Sequence, residues 1–231
     1  MINRLSSRAV RVTVMGMVMV GLSACSTFDD ILEVQNANEL NEELLQDEQL
    51  ISVLVSSVKG DFDDAFDDPF IWRGSMLTDE SLTGINWEQT ARLNQRIVEF
   101  DEGDADMMFS DISQARQQGD SIAGRLQTLL DDPATDERMA KVLAYAGYSY
   151  ILMGDAMCEA AVNGGAEIYA PSDMYQFAVD RFNSALAVAT AGGHQDYMDL
   201  ANVGLGRAYL NLGQYGSVAA PAGAVTPGFM W

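Results

Sequence analysis

The stretch from Gly147 to Leu186 constrains the fold most. It reads as two helices of one repeating unit, pushed apart by an insert. The first carries Gly147, Tyr150 and Met153-Gly154; the second carries Ala178, Phe182 and Ala185-Leu186. Small residues let two helices approach closely, and an aromatic one turn on fills the groove between them. Gly154 and Ala178 lie 24 positions apart. A tight connection would need about five, so about 19 residues are inserted between the helices. The insert, Asp155 to Tyr175, holds Cys158, Asn163-Gly164-Gly165, Tyr169 and Pro171. A long loop between packed helices points to binding.

The pattern recurs. Gly206, Tyr209 and Leu212-Gly213 repeat the spacing of Gly147, Tyr150 and Met153-Gly154, displaced by 59 residues. This is the grammar of a tetratricopeptide-like helical repeat, whose units stack to bury a shared core. The expected fold class is therefore all-α, a helical repeat scaffold with long inserted loops. The plainer alternative is two unrelated amphipathic helices that both use small residues for packing.

Charge narrows the partners. The 231-residue chain has a formal net charge of −21. Arg4, Arg8 and Arg11 all lie before residue 25, in a stretch without acids, which leaves 10 basic against 34 acidic residues beyond it. Such a surface repels phosphate backbones, so no nucleic acid is expected as a partner. The same three arginines precede an apolar run from Val12 to Leu22, too short for a comfortable bilayer span. Residues 1–24 thus read as a signal peptide. Leu22-Ser23-Ala24-Cys25 resembles a bacterial lipobox, which makes Cys25 the lipidated first residue of a mature chain. An ordinary secretory signal is the alternative. With Cys25 lipidated, Cys158 has no partner, and neither a disulfide framework nor a two-cysteine metal site remains. Cys158 then reads as a buried small hydrophobe.

In chain order, residues 25–38 form a tether and 39–231 the helical domain. Asn36-Ala37-Asn38 offers an N-cap, and a helix is expected over about 39–67, broken near Gln46-Asp47. The acidic run Asp61, Asp63, Asp64, Asp67 and Asp68 lacks the glycine and terminal glutamate of a calcium loop and reads as a solvated helix end. Pro69–Glu99 looks irregular and holds Trp72 and Trp87. Further helices are expected over about 104–130, weakened by Gly119 and Gly124, and over 136–154, 173–190 and 196–213. A last one begins near Ser217, where Pro221 should kink or shorten it.

No motif for catalysis stands out. The one histidine, His194, sits beside two glycines in an expected turn. There is no HExxH, phosphate loop or Gly-x-Ser-x-Gly elbow. We expect no enzyme, no catalytic residue, no metal and no cofactor.

Several segments together resemble the SusD/RagB family of outer-membrane lipoproteins. They are the lipobox, Leu32-Glu33-Val34-Gln35-Asn36 and Thr78-Asp79-Glu80. To these add Tyr145 to Asp155, similar to that family's helix leading into its "fGd" loop, with Phe182 to Leu186 and Gly206 to Gly213 similar to its repeat helices. The resemblance implies a lipid-anchored protein facing the exterior that caps a SusC-type, TonB-dependent transporter. It would capture oligosaccharides or peptides for uptake, without turnover. Met153-Gly154-Asp155 departs from the family's phenylalanine-glycine-aspartate. The chain is also about half the family's usual length, so a C-terminal portion is expected to be missing. Trp72, Trp87 and Tyr169 are the aromatic ligand-binding candidates, since flat rings stack on sugar faces. The alternative from another class is a tetratricopeptide scaffold lipoprotein in envelope assembly.

Overall fold

The computed structural model describes residues 48–231, all within the compact unit Gln46–Trp231. The expected lipid site Cys25, the tether 25–38 and the first part of the 39–67 helix lie outside the described residues. What is described is all-α except for one small hairpin. A 3-10 turn, Glu48–Leu50, leads into α1 (Ile51–Ala65). The helix does not stop at 67. It widens into a π-helical turn, Phe66–Trp72, and runs on as α2 (Arg73–Leu77). Then come α3 (Glu88–Asn94), α4 (Gly103–Leu129), α5 (Glu137–Ala156), α6 (Pro171–Gly192), α7 (Gln195–Asn211) and α8 (Tyr215–Ala224). None of the described helices is long and apolar enough to cross a membrane.

Local chemistry sets the boundaries. Asp136 caps α5, its carboxylate accepting the Arg138 N–H at 2.8 Å. Pro171 opens α6, where its missing N–H is harmless, and Asp173 reaches back to the Ala170 N–H at 2.9 Å. Gly193 ends α6 with φ at +73°, which lets the His194 N–H close on the Ala189 carbonyl at 2.8 Å. The 69–99 segment, expected to be irregular, instead contains the π turn, α2 and α3. Pro69 explains the difference. In α register its ring would press on the Ala65 carbonyl, and widening the helix relieves that contact while keeping the chain helical.

α5 is the central helix and packs against α1, α4, α6 and α7. It is buried almost all round, from Met139 and Ala140 through Ile151 to Gly154. Its neighbours come close because it meets them with glycine or alanine. A Cβ on Gly119 of α4 would sit 2.8 Å from the Ala146 methyl, so Gly119 gives close helix contact and α4 runs unbroken through it. Phe182 of α6 is fully buried between α5 and α7. A Cβ on Gly147 would lie 2.7 Å from its ring, and one on Gly204 2.3 Å.

The two copies of the glycine pattern do different work. Gly147 lies under Phe182, whereas Gly206 has nothing within 4 Å of a built Cβ. The close approach in α7 comes from Gly204, two positions earlier. Gly154 is inside α5 with the Tyr175 ring 2.6 Å from its built Cβ, whereas Gly213 follows α7 at φ +69°. In α8 the proline is accommodated: Pro221 is the helix's one buried residue, and the helix ends at Ala224.

The insert is a tied-down hairpin. β1 (Ala160–Ala161) pairs antiparallel with β2 (Ile168–Tyr169), Ala160 opposite Tyr169. Arg116 of α4 donates to the Asn163 side chain at 2.9 Å, and the Tyr169 ring meets Phe177 of α6 edge-on at 5.3 Å. Cys158, expected to be buried, is exposed. It lies between the end of α5 and β1, where the chain leaves the core before the hairpin turns back.

Candidate functional site

An aromatic cleft lies where α1, α5, α7 and the segment after α8 meet. Phe62 and Phe66 stand one helical turn apart on the same face, their rings stacked at 5.8 Å and 11°. Phe70 continues the ladder at 6.1 Å from Phe66. Opposite stand Tyr145 and Tyr148 of α5, with ring centroids 5.2 and 6.2 Å from Phe62. The chain after α8 folds back and adds Phe229 and Trp231. Two adjoining cavities, about 340 and 630 Å³, share Phe62, Phe66, Tyr145, Phe229 and Trp231 as walls.

Each wall is fixed. Tyr148 donates to the Leu200 carbonyl of α7 at 2.9 Å and meets Phe182 edge-on at 4.9 Å. Burial pushes its phenol well above the ordinary tyrosine value, so it stays a neutral donor. The Trp231 indole N–H donates to the Tyr145 hydroxyl at 2.8 Å, and its ring packs on Tyr197 at 5.3 Å. Tyr197 is itself raised to about 12, chiefly by burial. Around the rim, Lys59 is paired with Asp63. Arg207 is paired with Asp155 at 2.5 Å, and Asp196 lines the larger cavity together with Lys59 and Asp63. The cleft offers aromatic faces and hydrogen-bonding groups.

Asp155 is the latch behind this wall. Its Oδ1 accepts the Tyr175 hydroxyl and the Asn211 amide, both at 2.8 Å, and its Oδ2 accepts Arg207. One carboxylate thereby joins the ends of α5, α6 and α7. Gly154 completes the arrangement, since a side chain there would collide with the Tyr175 ring. Burial first, and then the bond to Asp155, raise the Tyr175 phenol far above its ordinary value.

A second pin holds the segment after α8. Buried Asp199 accepts the Thr226 backbone N–H and the Gln195 amide, both at 3.0 Å. Burial pushes the Asp199 carboxyl up, but the hydrogen bonds from Thr226 and Gln195 outweigh it and hold the group below the usual carboxylate range. A depressed carboxyl contributes stability that is present above its unfolded value, about 3.9, and lost as pH falls through the folded value. We therefore expect the Phe229–Trp231 wall to detach below about pH 4. In a Trp72→Phe, Trp87→Phe background the Trp231 emission should shift red over that range. Asp199→Ala should show the shifted spectrum already at pH 7, and an unshifted spectrum there would refute the pin.

The aromatic residues expected to bind ligand lie elsewhere. Trp72 ends the π turn, half-buried, with the Arg73 guanidinium 5.4 Å from its ring centroid. Trp87 is 68% exposed and directly precedes α3. Tyr169 sits in β2 and donates to Glu167 at 2.7 Å. They stand on separate elements, and none lines the cleft. In the acidic run, Asp61 accepts the Gln114 amide and Asp63 pairs with Lys59. Among the described residues no three histidine, cysteine or acidic side chains converge in a way that could hold a metal. The cleft residues had one legible signal: Phe62, Phe66 and Phe70 recur every fourth position within the acidic stretch.

No protein-family model matches the chain, and no characterised protein or solved structure matches it.

Proposed function

We propose that this protein is a lipid-anchored, ligand-capturing lipoprotein of SusD/RagB type. In this reading it sits on the outer face of the outer membrane, tethered at Cys25. It captures an oligosaccharide or other oligomeric nutrient and passes it to a SusC-type, TonB-dependent transporter. The observation that carries the reading is the cleft walled by Phe62, Phe66, Tyr145 and Trp231. Aromatic faces stack on the C–H faces of sugars, while phenol and indole groups supply directed hydrogen bonds. The helical pair α5–α6 followed by α7, with Phe182 between two glycines, supports a tetratricopeptide-like scaffold under the cleft.

The test is calorimetric titration of the mature protein with a panel of neutral oligosaccharides and peptides. We expect one class to bind, and Trp231→Ala and Phe62→Ala each to weaken it by about tenfold or more, in line with loss of a stacking contact. Failure of the whole panel, or full binding by both variants, would refute the cleft as the capture site.

A second reading, a tetratricopeptide scaffold lipoprotein in envelope assembly, has one observation in its favour. Leu82, Trp87 and Phe100 are 77%, 68% and 105% exposed, which suits a protein partner more than a small ligand. Protease treatment of whole cells separates the two: a capture protein outside is cut, and a scaffold inside is protected.

A further inference from the structure

A further cavity, of about 380 Å³, lies at the Phe70 end of the phenylalanine ladder and shares no lining residue with the aromatic cleft. Its floor is apolar, formed by Phe70, Ile71, Leu77 and Met108. Its rim is acceptor-rich, with Glu80, Thr78 and Asp155. Three features single it out. Phe70 and Ile71 belong to the π turn that Pro69 imposes, and such turns are frequent at functional sites. Asp79, between Thr78 and Glu80, holds φ at +65°, in the left-handed region that aspartate enters more readily than most residues with a side chain. The turn around it is heavily braced. The Glu80 and Ser81 N–H groups both reach the Ser75 carbonyl, at 2.9 and 3.1 Å. The Ser75 and Ser81 hydroxyls meet at 2.6 Å, Arg96 donates to the Leu77 carbonyl at 3.1 Å, and Arg96 pairs with Asp79. This bracing fixes the backbone at Glu80, whose exposed side chain lines the cavity.

The charges at the mouth are unequal. Asp155 is matched by Arg207, but Glu80 has no ion-pair partner among the described residues. No lysine or arginine lines the cavity. A carboxylate without a cation, hydroxyl acceptors and the face of Phe70 together make an environment for a positive head group on a small apolar body. The volume is at the small end of ligand pockets.

We propose that this cavity binds a small organic ammonium compound, its charged head on Glu80 and its apolar body between Phe70 and Met108. The site is separate from the aromatic cleft and needs no step of the capture reading.

Benzylammonium and its uncharged counterpart benzyl alcohol test this directly, each titrated into the full chain at pH 7 and followed by ligand-observed NMR. Benzylammonium should bind at least about tenfold more tightly than the alcohol, the difference made by one charged contact. Glu80→Gln should remove that difference. Met108→Trp, which fills the floor, should abolish binding of both while far-UV circular dichroism stays helical. Equal binding of the two probes would overturn the proposal, as would benzylammonium binding that survives both substitutions. So would no binding up to about 10 mM.

Discussion

Phe182→Ala is expected to destabilise the domain by about 3–5 kcal/mol, the range for truncating a fully buried phenylalanine. The ring is fully buried, lies between α5 and α7, and touches Tyr148 edge-on. The glycines on either side leave no side chain able to move into the gap, so the cavity should persist rather than collapse. Urea unfolding followed by circular dichroism measures it, and a loss under about 1 kcal/mol would mean that α5 and α7 do not rest on this ring. The complementary substitution sharpens the test. Gly204→Ala puts a methyl 2.3 Å from a ring carbon and should cost about 1–3 kcal/mol by overpacking. With Phe182 already alanine, that penalty should vanish, because the atom it strikes is gone. A double-mutant cycle with no coupling would show the two sites do not meet.

Asp155→Ala should cost about 2 kcal/mol, less than the sum of its bonds because its side chain is 21% exposed and its pair with Arg207 is partly solvated. The loss should not resemble a simple cavity. Tyr175 would keep its ring against Gly154 but lose its acceptor, and its phenol should titrate nearer the ordinary value. Ultraviolet titration of tyrosinate reads this separately from unfolding. Asp155→Asn keeps an oxygen for Tyr175 and should recover most of the loss. If the asparagine variant proved as weak as alanine, the charge on Arg207 rather than the bridge between helices would be the dominant contribution.

The long helices were legible because their stripes are regular. Met108, Ile112, Ala115, Ile122 and Leu126 mark α4, and all are buried. Gly147 with Phe182 also carried real information, since their contact organises the core. The misreadings have physical causes. The stretch from Pro69 to Glu99 was expected to be irregular, but a π turn accommodates the proline by adding a residue to the turn, which no periodicity search allows for. Gly206 matched a spacing, while the close contact fell on Gly204. Spacing locates a helical face only to within a residue or two, whereas steric contact distinguishes them. The cleft was harder. Phe62 and Phe66 lie among aspartates that drew attention to charge, and Trp231 reaches Tyr145 only through a fold-back that no local pattern announces.

That fold-back has a kinetic consequence. The α5, α6 and α7 contacts join neighbours in sequence and can form early, since closing short loops costs little entropy. The cleft, in contrast, needs Phe62 of α1 and Trp231 after α8 to line the same cavity, although they are far apart in sequence. It is assembled only when segments far apart in sequence have met. A ligand of the cleft therefore binds only after these segments have met, and it stabilises that arrangement without favouring earlier, partly folded forms.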